Sequence, residues 1–386
     1  MRDTFLSFSS PVLGPEERED VDAVLRSQWI TTGPQVRRFE REFADWVGAP
    51  HALALASCTA GLHVALKVLD VGPGDEVITT PMTFCATANV VEQVGARPVL
   101  VDIDPVTLQI DPAGVEAAVT SATRVLMPVH YTGHPCDMDA LCDLARDRGL
   151  RVVEDAAHAL PARVGDRMVG SIGDLTAFSF YATKNLTTGE GGMLTGADPE
   201  LLERARAWSL HGMSRDAWKR YEQGGGWRYE VLFPGFKYNM TDLQAALGLQ
   251  QMARMEPFQR RRLEIVRRYQ EAFGASDSLQ TPETGPGVEH AWHLYVLRIV
   301  PETLTIGRDR FIDELTARNI GTSVHFIPVH LHPYYRDKYG WRPEDFPVAN
   351  DAFERMLSLP LHPGLTDQDV EDVIEAVLDV VRVHRR

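Results

Sequence analysis

Lysine is scarce in this chain. Lys67, Lys184, Lys219, Lys237 and Lys338 are the only five, so chemistry that needs a covalent amine has few residues to choose from. Cysteine is rarer still. Cys58, Cys85, Cys136 and Cys142 are scattered with no C-x-x-C pair, which excludes a disulfide framework and reads as free thiols in a reducing compartment. His130 and His134 near Cys136 and Cys142, and the group His325, His330 and His332, lack paired ligand spacing, so no metal is expected. Positive charge is short as well. A net charge of −15 and a pI of about 5.3 argue against nucleic acid or an anionic membrane as partner. No run approaches the ~18 apolar residues of a membrane span, and the first residues lack a signal-peptide core. A cytoplasmic protein is expected. Repeats and low-complexity tracts are absent.

With 386 residues, 44% of them hydrophobic, the chain can bury a large core and build more than one domain. Strand-like runs at 51–56, 76–80, 98–102, 125–129 and 152–154 alternate with helical stretches at 62–69, 112–119 and 138–148. That alternation predicts a mostly parallel sheet covered by helices. Amphipathic helices are expected at 15–29 and, from Val36, Phe39, Phe43, Trp46 and Val47, just after the Thr31–Pro34 turn. A long helix at 241–255 precedes Pro257, and shorter elements follow: helices at 264–273, 309–318 and 367–381, and a strand at 293–300. The expected division is a large domain over 1–252 and a smaller α+β domain over 253–386.

Residues 150–193 organise the rest. The run Val152-Val153 ends in Glu154-Asp155, and a second run, Leu175 to Tyr181, is followed by Lys184 and Gly189-Glu190-Gly191-Gly192. Two neighbouring strands would deliver an aspartate and a lysine to one carboxyl-end crevice, where such sheets bind ligands. Pyridoxal phosphate needs that pair: a lysine for its Schiff base, and an acid that keeps the ring nitrogen protonated. Taken alone, the two could equally be a surface ion pair. The turn Ser57-Cys58-Thr59-Ala60-Gly61 reads either as an anion site at a helix start or as a plain cap. Phe84 could stack on a ligand or sit in the core.

The segment 154–158 (E-D-A-A-H), then Phe178-Ser179-Phe180, Lys184 and Gly189 to Gly192, resembles the signature of the DegT/StrS-type sugar aminotransferases. The resemblance runs from about Pro11 to the last helix. It implies a fold-type I α/β enzyme that uses pyridoxal 5′-phosphate, with Lys184 as catalytic residue. It implies Asp155 at the ring nitrogen, His158 at the 3-hydroxyl, and Thr59, Ala60 and Ser179 at the phosphate, although Cys58 stands where the family has Gly. The segment 83–89 (T-F-C-A-T-A-N) matches T-F/W-x-A-T-A-N and gives Phe84 the stacking role. In 235–240 the family reaches a neighbouring subunit's phosphate, which implies a homodimer with shared sites. Lys237 and Asn239 are both candidates, since their order departs from the family's. A nucleotide-linked keto sugar and an amino-acid donor, glutamate being usual, are the implied partners. For the sugar the candidates are His211, Trp218, Arg220, Tyr221 and Arg228, in a basic aromatic loop suited to a diphosphate, and His325.

That loop and 235–240 look most like 4-amino-4-deoxy-arabinose synthases, which implies amination at carbon 4. The alternatives are a 3-keto-sugar aminotransferase, a sugar dehydratase of the same fold, which carries His in place of the lysine, and a non-catalytic sugar-sensing regulator.

Overall fold

A computed structural model describes residues 2–213 and 229–386. Its centre is a seven-stranded sheet. In chain order the strands are β1 (His51–Leu55), β2 (Glu76–Thr79), β3 (Arg97–Leu100), β4 (Thr123–Leu126) and β5 (Arg151–Asp155). A two-stranded hairpin, β6 (Arg163–Val164) and β7 (Arg167–Met168), intervenes before β8 (Leu175–Ser179) and β9 (Gly192–Gly196). The sheet order is β1-β9-β8-β5-β4-β2-β3, with β9 antiparallel to both neighbours and every other pairing parallel. The strands are buried on both faces, as helical crossovers require. Leu53, Leu55, Val77, Val125, Val153 and Ala177 pack under α3 (below).

The first helices are α1 (Pro15–Ser27), α2 (Pro34–Val47), α3 (Cys58–Val68), α4 (Ala86–Gln93), α5 (Pro112–Ala118), α6 (Met138–Arg148) and α7 (Pro199–Ser209), the last of them directly after β9. They are followed by α8 (Asp242–Ala253) and α9 (Met255–Phe273). Asp242, the first residue of α8, accepts from the backbone N–H groups of Gln35 and Val36 at 3.1 and 3.0 Å. A carboxylate thus caps the start of α2 and locks the two helices together.

Two helix boundaries differ from the sequence expectation for stated physical reasons. The helix expected at 62–69 begins four residues earlier, because Ser57 caps it by accepting from the N–H of Ala60 at 3.1 Å. The helix expected at 264–273 begins at Met255. Pro257 falls in its first turn, where no N–H is needed, so it starts this helix rather than separating two.

The C-terminal part has its own antiparallel sheet, β10 (Leu279–Gln280), β12 (Tyr295–Ile299) and β13 (Met356–Leu359), in the order β10-β12-β13; β11 (Val288–Glu289) pairs instead with β6. Helices α9, α10 (Arg308–Ala317) and α13 (Asp367–His384) contribute Tyr269, Phe273, Phe311, Val373 and Val377 to its core. Two short helices, α11 (Pro333–Tyr339) and α12 (Pro347–Arg355), lie between. Leu6 joins this core and pairs with Ile320, so the first residues of the chain pack on the last third of it. No helix among the described residues is long and apolar enough to cross a membrane.

Candidate active site

The parallel strands all end at one edge, and the loops leaving that edge enclose a cavity of about 460 Å³. Ser57, Cys58 and Thr59 come from the turn after β1, Thr83 and Phe84 from the loop after β2, and Asp155 and His158 from β5 and its turn. Ser179, Lys184 and Gly191 come from β8 and the loop to β9, and His293, His325 and Phe326 from the C-terminal part.

Strand alternation turns Glu154 and Asp155 to opposite faces. Glu154 accepts from Gly173 N–H and Thr176 Oγ1, both at 2.7 Å, and from His130 Nε2 at 2.8 Å. Burial alone would raise its carboxyl, but His130, Thr176 and Gly173 together hold it below the usual range. His130 Nδ1 accepts from the Cys136 N–H at 3.0 Å, so the ring is neutral and both its nitrogens are committed. Asp155 faces the cavity. Its Oδ2 accepts from Thr87 Oγ1 at 2.8 Å and its Oδ1 from Ala157 N–H at 3.1 Å, with Cys58 Sγ 3.8 Å away. Burial raises its carboxyl, against the hydrogen bonds from Thr87 and Ala157 and the charge of Lys184.

Lys184 is half-buried, and desolvation pushes its amine down to about 8, opposed by Cys58 and Asp155. Its charge acts on the histidines around it. Burial first, and then Lys184, push His158 well below its ordinary value and His325 down to about 4, so both rings are neutral at pH 7. His158 Nδ1 is buried without a hydrogen-bond partner among the described residues. Its ring lies 4.5 Å from that of His293 and 5.8 Å from that of Phe326. His293 Nδ1 lies 3.2 Å from Asn185 Oδ1, and His325 Nδ1 2.9 Å from Ser358 Oγ.

At the other end of the cavity, α3 presents its first turn, whose amides have no intrahelical partner. Gly192 opens β9 against it. A Cβ there would stand 2.4 Å from the Ser57 carbonyl carbon and 2.6 Å from Cys58 N, so only glycine lets β9 pass so close. Thr59 and Ser179 line this end; Ala60 does not, and its N–H is taken by Ser57.

Of the residues expected from sequence, Thr59, Phe84, Asp155, His158, Ser179, Lys184 and His325 therefore meet on one cavity. Lys237, Asn239 and His211 do not line it. Lys237 donates to Asn239 Oδ1 at 2.5 Å, Asn239 donates to Thr32 at 2.7 Å, and His211 N–H donates to the Phe236 carbonyl at 2.7 Å, all beyond the β1 edge. Trp218, Arg220, Tyr221 and Arg228 lie outside the described residues. Sequence reading missed Thr87, His293, Asn185 and Phe326. The four-residue spacing of Thr83 and Thr87 was a visible signal for the first, and none marked the others.

The residues fit pyridoxal phosphate on features of their own. Phe84 is 57% exposed, although it sits in a loop whose neighbours Met82 and Thr83 are buried, so its ring is free to cover a flat ligand. The orphaned His158 nitrogen can meet a ring hydroxyl, the start of α3 a phosphate, and the Lys184 amine a carbonyl. Combined with a parallel sheet that carries one antiparallel strand, this defines a fold-type I pyridoxal-phosphate enzyme of the aminotransferase class.

Comparison with known proteins makes the assignment specific. The chain belongs to the DegT/DnrJ/EryC1/StrS aminotransferase family, whose pattern matches residues 11–378. It is 54% identical over 382 residues to the spore coat polysaccharide biosynthesis protein SpsC of Bacillus subtilis, covering 99% of this chain and 98% of that one. Among solved structures it is similar to the putative sugar aminotransferase Spr1654 of Streptococcus pneumoniae. The PMP-form of that protein matches with a TM-score of 0.93 at 37% identity, covering 98% of this chain and 99% of that one. Its PLP-form gives 0.92 at 36%, with the same coverage. The protein is a pyridoxal-phosphate-dependent sugar aminotransferase that acts on a keto sugar and an amino donor.

Proposed function

We infer that this enzyme moves the amine of glutamate to carbon 4 of a nucleotide-linked 4-keto-6-deoxyhexose, or the corresponding pentose, as a homodimer with shared sites. The observation that carries the catalytic roles is the meeting of Lys184, Asp155 and His158 on one cavity. When bound, pyridoxal phosphate supplies an electron sink for the charge that develops at the donor's α-carbon. Lys184 would hold the cofactor through its amine. The same amine, when free, would act as base and then acid for the proton at the donor's α-carbon. An amine lowered to about 8 is neutral in a useful fraction of molecules near pH 7. Asp155 holds a proton at the ring nitrogen, His158 bonds the 3-hydroxyl, and Phe84 covers the ring. Thr59, Ser179 and the free amides at the start of α3 hold the phosphate, whereas Ala60, expected there from sequence, gives its N–H to Ser57.

Lys237 and Asn239 stand outside the cavity of their own chain, which supports a role at the phosphate of a second subunit. The nucleotide link is supported by the name of SpsC, since polysaccharide assembly consumes activated sugars. His211, Trp218, Arg220, Tyr221, Arg228 and His325 are the residues assigned to that substrate. Carbon 4 is favoured by the likeness of 216–221 and 235–240 to 4-amino-4-deoxy-arabinose synthases. Once the diphosphate is fixed, the keto carbon must come within ~3–3.5 Å of the cofactor's amine, so one ring position dominates. The test is a competition between the 3-keto and 4-keto forms of one nucleotide sugar, with the products located by NMR. Amination at carbon 4 is expected; preference for the 3-keto form would overturn the position and leave the aminotransferase class intact.

A further inference from the structure

The Asp155 carboxylate ends a chain of two hydroxyl groups that the reaction described above does not use. Thr83 Oγ1 and Thr87 Oγ1 lie 2.7 Å apart, and Thr87 Oγ1 lies 2.8 Å from Asp155 Oδ2 and 3.2 Å from the carbonyl of Phe84. Thr83 is 2% exposed and Thr87 0%, so water does not compete for these bonds. Each hydroxyl has one proton to give. The carboxylate oxygen is the nearer and stronger acceptor, so the Thr87 proton goes to Asp155. Thr83 must then donate to Thr87, because one proton has to lie between their oxygens and that of Thr87 is committed. The chain runs one way, from Thr83 to Thr87 to Asp155, and each bond polarises the next.

Such a chain favours one protonation state. A proton on Oδ2 would force Thr87 back onto the Phe84 carbonyl and break the sequence, so the chain holds Asp155 ionised against its burial. On the other oxygen, the Ala157 N–H and the Cys58 thiol complete the grip. The titratable groups facing Asp155 are Lys184, His130 and Cys58, and none of them bonds to either threonine. We propose that Thr87, backed by Thr83, is a positioning residue that keeps Asp155 ionised and aimed so that the ring nitrogen of the bound cofactor stays protonated. This rests on the assignment of Asp155 to that nitrogen.

The experiment loads the enzyme with pyridoxal phosphate labelled with 15N in the ring and follows the nitrogen's shift against pH by NMR. Cofactor affinity is measured alongside. In Thr87→Val the midpoint of ring-nitrogen deprotonation should fall by about one pH unit, the worth of a lost charge-assisted hydrogen bond. Turnover at fixed pH should fall by about tenfold in step with it. Thr87→Ser should restore both. Thr83→Val should shift the midpoint the same way by less, and adding it to Thr87→Val should change nothing further, because Thr83 acts only through Thr87. Should Thr87→Val not fold, Thr83→Val carries the same sign. Threonines that served packing alone would cost stability and leave the midpoint in place. The proposal is overturned if Thr87→Val titrates like the wild type, or if the Thr83 effect persists without Thr87. Asp155→Asn separates the two claims. If it leaves the midpoint unmoved, the role of Asp155 falls; if it moves the midpoint while Thr87→Val does not, only the hydroxyl chain falls.

Discussion

At the scale of the residue, what sets Lys184 apart from the other lysines is where its amine stands. Lys338 bonds Glu92, which raises its pKa, and Lys67 rests over the Trp208 ring at 5.1 Å. Lys237, whose amine burial lowers, is held by Asn239. Among the described lysines, only Lys184 combines a value of about 8 with a place on the cavity beside Asp155. The sign of the pH effect follows. Below about 8 the amine is protonated and cannot attack a carbonyl, so covalent capture of pyridoxal phosphate by cofactor-free enzyme should rise with pH and level off above about 8. Stopped-flow absorbance measures it; a midpoint near that of an ordinary lysine would deny the environment described. Both residues were legible in the sequence because Asp155 ends one strand and Lys184 closely follows its neighbour. The Thr83–Thr87 pair was quoted within a motif but its direction was not legible, since a hydroxyl's role depends on an acceptor 68 residues away in sequence.

At the scale of the element, the meeting of β9 with the start of α3 shapes the end of the cavity proposed for the phosphate. Gly192→Ala would put a methyl group into the backbone of Ser57 and Cys58, which cannot swing aside as a side chain could. The expected result is a loss of about 1–3 kcal/mol of stability, read by denaturant unfolding, together with weaker cofactor binding as the amides of α3 move. An unchanged affinity would mean that the phosphate does not use this helix end. The sheet and most helices were legible from the alternation of runs. The start of α3 was not, because Cys58-Thr59-Ala60-Gly61 has no apolar periodicity and its helicity comes from the Ser57 cap and from packing, with Gly61 against Ala177. The unbroken α9 was missed for a similar reason: Pro257 reads as a breaker until its place in the first turn is known.

At the scale of the whole molecule, the cavity is closed by parts far apart in the chain. Phe326 stacks over His158 and lies 5.5 Å from Phe84, and Tyr131 donates to the carbonyl of His325, so the C-terminal part forms one wall. Only the contribution of His325 was legible, through resemblance; Phe326 and His293 enter by long-range packing that no local pattern encodes. A second subunit completes the site in the proposed account. Lys184→Ala mixed with the Lys237→Ala/Asn239→Ala double variant should therefore recover activity, up to about a quarter of wild type for random pairing into dimers with one intact hybrid site. Silence after proven subunit exchange would mean that each site is built from one chain. The most direct measurement is chemical. Reduction of the cofactor-loaded enzyme with borohydride fixes the cofactor to the amine that holds it, and peptide mapping by mass spectrometry names the residue. The account requires a single adduct on Lys184. An adduct on Lys67, Lys219, Lys237 or Lys338, or none at all, would contradict it.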